Sequence, residues 1–78
     1  MRFLLTVSSV DNVLFRGEVD SVTCPGAEGE LTVLAGHEAL MTPLLSGTIR
    51  ARENNRLHEW HIERGVLEVG NKEVTILV

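Results

Sequence analysis

The sequence predicts an all-β fold, and three observations carry that expectation. Apolar and polar residues alternate with a period of two in several segments, most cleanly over residues 48–52, where Ile49 and Ala51 face one way and Arg50 and Arg52 the other. Turn-forming residues interrupt the apolar segments about every 6 to 12 residues, the spacing of short strands in a sandwich or barrel. The one segment with helical spacing, residues 38–45 with Leu40, Leu44 and Leu45, holds Pro43, which would remove a backbone donor from a helix interior. It reads instead as extended loop with a short strand.

Residues 2–8 form the first strand, with Phe3, Leu5 and Val7 on one face and Leu4, Thr6 and Ser8 on the other, so both faces carry an apolar residue. Residues 9–12 are a turn. Residues 13–16 and 18–23 continue as strands with Gly17 as a bulge or bend between them, and the opposite parity of Val19 and Val22 indicates a strand covered in part on both sides. Residues 31–34 are a short strand ending in a turn at Ala35, Gly36 and His37. Residues 48–52 and 57–62 form a hairpin around Glu53, Asn54 and Asn55. A second hairpin joins residues 65–69 to 73–78 through Gly70, Asn71 and Lys72, a sequence able to take positive φ in a tight turn.

At 78 residues the chain is one domain. A domain of this size buries roughly 60% of its unfolded surface and its core supplies ~3–5 kcal/mol of net stability, so permanent docking on a larger partner is a physically reasonable way to hold it. Its 44% hydrophobic and 23% charged residues exclude a disordered chain. The net charge of −4 argues against nucleic acid or anionic lipid, both of which need a basic face. A single cysteine, Cys24, rules out an internal disulfide and points to a reducing compartment, and beside Pro25 it reads as a small buried strand residue. The apolar start of the chain ends at Val7 without a cleavage-like segment, and no apolar run approaches the ~20 residues that span a bilayer.

Residues 25–47, PGAEGELTVLAGHEALMTPLLSG, carry four of the seven glycines and both prolines, with Glu28, Glu30, His37 and Glu38 between the breaks. Glu28 and Glu30 are two apart, which on extended backbone puts both carboxylates on one face. Nothing around them predicts a pocket or a raised pKa, so from the residues alone they are two solvated charges. His58 and His61 are three apart in a strand and face opposite ways, so they make no zinc pair, and His37 stands alone. No nucleophile elbow and no phosphate loop is present. Arg50, Arg52, Arg56 and Arg64 read as a solvated basic strand face. The residues thus describe a binding or structural domain without catalytic, cofactor or metal sites.

The stretch PGAEGELTVLAGHEALMTPLLSGTIR resembles the signature of the epsilon subunit of rotary F-type ATP synthases. Gly26, Glu28, Gly29, Glu30, Gly36, His37, Leu40, Thr42, Leu44, Gly47, Ile49 and Arg50 stand at the family spacing, and Phe15 to Gly17 and Gly65 to Val69 resemble two further family segments. Ala35, Ser46 and Arg64 depart from it, in places where the family commonly has proline, proline and glycine. The resemblance implies a flattened antiparallel β-sandwich of two sheets and a non-catalytic central-stalk subunit. It implies torque coupling between the gamma subunit and the membrane c-ring of a proton- or sodium-translocating complex, peripheral on the cytoplasmic side of the energy-transducing membrane. It further implies that Glu28 and Glu30 contact the c-ring, and that Ser9, His37, Met41 and Thr42 contact gamma on a separate side. A helical hairpin that can brake hydrolysis normally follows this domain in the family; the sequence stops at Val78, so coupling without braking, and without ATP binding, is expected.

Two other readings remain open on the residues. A lipoyl or biotin carrier domain is also an acidic all-β unit, and Lys72, the only lysine, sits in a turn; its neighbours Asn71 and Glu73 do not match those families. An unrelated β-sandwich adaptor is the third.

Overall fold

The computed structural model describes all residues 1–78 and contains nine strands: β1 (Phe3–Ser8), β2 (Val13–Val19), β3 (Ser21–Gly26), β4 (Gly29–Leu34), β5 (Leu40–Leu44), β6 (Gly47–Glu53), β7 (Arg56–Ile62), β8 (Gly65–Val69) and β9 (Glu73–Leu77). The strands pair in the order β2-β1-β9-β8-β5-β3-β6-β7, with β4 on the other edge of β3. The path curls, and inward side chains from all nine strands meet in one core of 15 residues. The all-β sandwich expected from the sequence is therefore present, as one curled sheet whose halves, β2-β1-β9-β8-β5 and β4-β3-β6-β7, are joined at the single pair Gly26↔Leu44.

One pairing is not antiparallel. β1 lies parallel to β9, with Leu5 opposite Val74 and Val7 opposite Ile76. Parallel neighbours need a long connection. Here the rest of the chain supplies it, because the pair brings together the first and last strands.

The alternation read from the sequence decides which side is buried. Phe3, Leu5 and Val7 of β1, Ile49 and Ala51 of β6, Leu67 and Val69 of β8, and Val74 and Ile76 of β9 all point into the core. Thr6 is the one buried polar residue; on the outer face, the guanidinium of Arg16 on β2 donates to its hydroxyl at 2.9 Å. Gly17 does not interrupt β2, which runs unbroken past it, and the irregularity lies instead at Val7/Ser8 opposite Val13. The ring of Phe15 covers Gly17, 3.2 Å from where a Cβ would stand.

The chain bends at Asp20 rather than at Gly17, and that bend explains how Val19 and Val22, of opposite parity, are both fully buried. Asp20 is held from three directions. Its N–H donates to the Arg52 carbonyl at 2.7 Å, its carboxylate accepts from the Asn54 N–H at 2.8 Å, and Arg2 lies 3.5 Å from it while also bonding the Asn54 side chain. The β6–β7 turn follows the sequence expectation, with Asn54 in the left-handed region at φ 54°. The β8–β9 turn does not use positive φ; it closes on a Gly70 N–H to Glu73 carbonyl bond of 2.8 Å.

The two lateral seams between the halves differ. Between β2 and β7, Phe15 packs on His58 (centroids 4.7 Å apart) and edge-on to Trp60 (5.3 Å). That seam is closed by rings, not by hydrogen bonds. Phe15→Ala should therefore lower unfolding stability by about 2 kcal/mol, less than a fully buried phenylalanine because the ring is only half-buried. Urea unfolding followed through Trp60 measures it, and the emission of the folded variant should move to the red.

Candidate interaction surfaces

The register of the strands defines two ends of the sandwich. One end carries the turn at residues 9–12, the β3–β4 turn at Ala27 and Glu28, the turns at residues 45–46 and 63–64, and Val78, whose N–H donates to the Ser8 carbonyl at 2.9 Å. The other end carries the turn at residues 35–39 and the β8–β9 turn.

Ser9 and His37 lie at opposite ends. The Ser9 hydroxyl and N–H both engage Asn12, holding Val10 at the turn tip with 94% of its surface in water. His37 closes the β4–β5 connection, where its N–H donates to the Leu34 carbonyl at 3.2 Å and Nδ1 lies 2.8 Å from the Glu38 carbonyl. Gly36, at φ 85°, makes this tight turn possible without strain.

Glu28 and Glu30 do not share one extended face. A two-residue turn places Glu28 at the tip of the β3–β4 hairpin, followed by Gly29 at φ 123°, while Glu30 sits on β4 with its carboxylate on the outer face. There Glu30 lies 3.8 Å from the Arg50 guanidinium, which also holds Glu59 at 3.0 Å. These pairs are exposed and contribute at most about 1 kcal/mol each. Arg50 is thus part of a mixed-charge face rather than of a purely basic one.

Met41 and Thr42 lie on β5, Met41 with 67% of its surface exposed. Together with Leu40 they line one wall of an open groove; Gly26, Ala27, Glu28, Gly29, Glu30 and Leu31 line the other. The structure consequently gathers Glu28, Glu30, Met41 and Thr42 around a single depression, where the sequence expectation had put the acidic pair and the β5 residues on separate sides. The cause is the Gly26↔Leu44 bridge, flanked by bonds from the Ala27 N–H to the Pro43 carbonyl and from the Leu45 N–H to the Pro25 carbonyl. These draw the hairpin tip against β5.

A further apolar feature was missed in the sequence. Pro43, Val66 and Leu77 are direct cross-strand neighbours on β5, β8 and β9, with Val66 42% and Leu77 50% exposed. Its signal was present in the outward positions of β8 and β9, but it becomes a stripe only once register aligns the three strands.

Cys24 is fully buried on β3, as its neighbours implied, and burial pushes its thiol up to about 12. Lys72 lies in the β8–β9 turn beside an open polar depression shared with Glu68, Gly70, Asn71, Glu73 and Thr75. His58 fills the aromatic seam and lies 3.0 Å from Glu53, whereas His61 is exposed near Glu63, so the two do face opposite ways.

A family model for the ATP synthase delta/epsilon chain, beta-sandwich domain, matches residues 2–78. The chain belongs to that family. Among its relatives, the ATP synthase epsilon chain of Maridesulfovibrio salexigens is 38% identical over 76 residues, covering 97% of this chain and 54% of the relative. That of Caulobacter vibrioides is 42% identical over 64 residues, covering 82% and 74%. A chain in the Euglena gracilis mitochondrial ATP synthase structure, which contains OSCP, F1 and the c-ring, superposes on 99% of this chain with a TM-score of 0.92 at 26% identity. A chain of the Tetrahymena thermophila central stalk and c-ring has the same fold, with a TM-score of 0.83 at 15% identity. The chain spans about half the length of most of these epsilon relatives.

The Cys24 thiol generates a pH prediction for this epsilon-type domain. An acid whose folded pKa lies above its ordinary value of 9.0 contributes stability below that value and loses it as pH rises toward about 12. Unfolding free energy should fall by up to roughly 1.4 kcal/mol per pH unit above pH 9, and Cys24→Ala should remove that part of the slope. Urea titrations at pH 8 and pH 10 on both proteins measure the difference.

Proposed function

We propose that this chain is a non-catalytic rotor component of a proton- or sodium-translocating ATP synthase, joining the gamma shaft to the c-ring so that ring rotation turns the shaft. The observation that carries this reading is the superposition, over nearly the whole chain, on a subunit of an assembled F1 and c-ring. The domain then sits peripherally on the cytoplasmic face of the energy-transducing membrane. No helix of the structure is long and apolar enough to cross a membrane.

In this reading Glu28 and Glu30 meet the c-ring and Ser9, His37, Met41 and Thr42 contribute to the gamma contact. The geometry supports a contact at the hairpin tip, because Glu28 is exposed at one end of the sandwich, and an anchor at Met41, an exposed apolar side chain of β5. Torque transmission asks for stiffness, and a curled sheet with one continuous core supplies it without any reacting group.

Three outcomes test the proposal. Glu28→Lys combined with Glu30→Lys should weaken retention on purified c-ring while circular dichroism stays unchanged, since exposed charges steer docking more than they stabilise a fold. Retention that does not change across a salt series would remove the acidic hairpin from the contact. Met41→Ala should weaken binding to purified gamma by about tenfold or more, and Glu38→Ala by much less, because a few apolar anchors dominate most interfaces; titration calorimetry compares them. Finally, these 78 residues added to an epsilon-depleted complex should restore ion pumping without inhibiting ATP hydrolysis. Clear inhibition by this domain alone would contradict the reading.

A further inference from the structure

The chain holds three sulfur atoms, in Met1, Cys24 and Met41, and the fold treats each differently. Cys24 is fully buried on β3, and burial pushes its thiol up to about 12, so it presents no thiolate near neutral pH and is closed to an oxidant arriving from water. Met1 is fully exposed but lies ahead of the first strand and outside the core. Met41 combines access with a fixed place. It stands on β5 with 67% of its surface in water, and its backbone is held in register against Glu68 of β8.

That register decides what a chemical change at the Met41 sulfur meets. The residues in line with it across the sheet are Glu68, then Thr75 and Thr6. Oxidation by a hydroperoxide transfers one oxygen: the sulfur lone pair attacks a peroxide oxygen, the O–O bond breaks and an S–O bond forms. With hydrogen peroxide, the proton of the transferred hydroxyl passes to the departing hydroxide, which leaves as water. The sulfur is oxidised, the peroxide is reduced, and no other reactant is required. The product places a strong hydrogen-bond acceptor on a side chain that was apolar. Glu68, directly across, is a carboxylate with no proton to donate, so the new oxygen takes its hydrogen bonds from water. The core does not feel the change, because the sulfur is outside it. A partner that dries this surface does, because the waters on the sulfoxide oxygen must leave without replacement.

We propose that Met41 is an oxidation site of the unassembled domain, converted by a hydroperoxide to the sulfoxide without disturbing the sandwich, and that the sulfoxide opposes docking of the gamma subunit over β5. The effect on docking rests on the reading of Met41 as part of the gamma contact; the site itself does not. Oxidation and docking exclude each other in both directions, since a docked partner covers the sulfur that the oxidant must reach.

Treatment of the isolated chain with hydrogen peroxide, removal of the excess by catalase and peptide mapping test the site. Met41 should gain one oxygen at a rate within about tenfold of that of N-acetylmethionine amide. Cys24 should gain none, and circular dichroism and Trp60 emission should not change. The dissociation constant for purified gamma should then rise about tenfold or more, and the two methionine sulfoxide reductases, one for each epimer, should restore it. Peroxide should leave the affinity of Met41→Leu at its starting value, which excludes Met1 as the origin of the loss. Met41→Gln, which puts a polar group in place of the sulfur, should show the loss without peroxide. Reaction at Met41 slower than this, or a sulfoxide there that unfolds the chain, overturns the site. A mapped sulfoxide with undiminished affinity for gamma overturns the effect on docking. Failure of the untreated chain to bind gamma overturns the rotor reading and the effect on docking together, while the peptide map still decides the site.

Discussion

The structure depends on one corner, where Pro25 and Gly26 of β3 meet Pro43, Leu44 and Leu45. Only here do the two halves of the curled sheet share hydrogen bonds along their path, and a single residue pair carries the join. Gly26 leaves no room for a side chain, since a Cβ would stand 2.4 Å from the Leu31 side chain and 2.8 Å from the Gly29 carbonyl. Gly47 would meet the Pro25 ring at 2.9 Å and Gly65 the Leu77 carbonyl at 2.6 Å. All three lie at the end of the sandwich that carries the hairpin tip, so the closest backbone approaches concentrate where the halves are tied. Pro43 sets the length of the tie. It supplies a carbonyl to Ala27 but has no N–H to return, and beyond it the edges of β4 and β5 are left unpaired.

Much of this was legible in the residues, and the parts that were not have identifiable causes. Period-two alternation placed Ile49, Ala51, Phe3, Leu5 and Val7 correctly inward, and the asparagine pair marked the β6–β7 turn where Asn54 does take positive φ. Gly17 misled because glycine in a strand has two physical meanings: it permits a bulge, or it makes room for a neighbouring ring. Phe15 lies over it, and the second meaning holds. The true bend at Asp20 carries no glycine; contacts with Arg2, Arg52 and Asn54, all distant in sequence, produce it. Glu28 and Glu30 misled for a related reason. Parity places side chains only within a strand, and the two-residue turn before Gly29 takes Glu28 out of it. The parallel pairing of β1 with β9 has no local signal at all, because it joins the two ends of the chain.

The two seams of the sandwich show how similar openings are resolved differently. Phe15, His58 and Trp60 close the β2–β7 seam with apolar area, and the aromatic planes need no hydrogen-bonded continuity to do so. The β4–β5 seam has Gly29 where a large side chain could have filled space; a Cβ there would meet nothing within 4 Å. A domain this small has few residues to spend on covering both openings. Three rings close one seam, and the other is left as an open groove lined by Gly29, Glu30, Leu31, Leu40 and Met41.

An open strand edge is also a hazard, because unpaired N–H and C=O groups template pairing with any extended chain, including another copy of this one. The residues beside the opening limit that. Pro43 shortens the available edge, and charged side chains at Glu28 and Glu30 beside it disfavour continued strand pairing. Glu30 already lies 3.8 Å from the Arg50 guanidinium, so Glu28 at the hairpin tip is the carboxylate of the two without a basic neighbour. What blunts the edge is therefore position as much as charge: the Gly26↔Leu44 tie holds the hairpin, and with it both carboxylates, beside the opening.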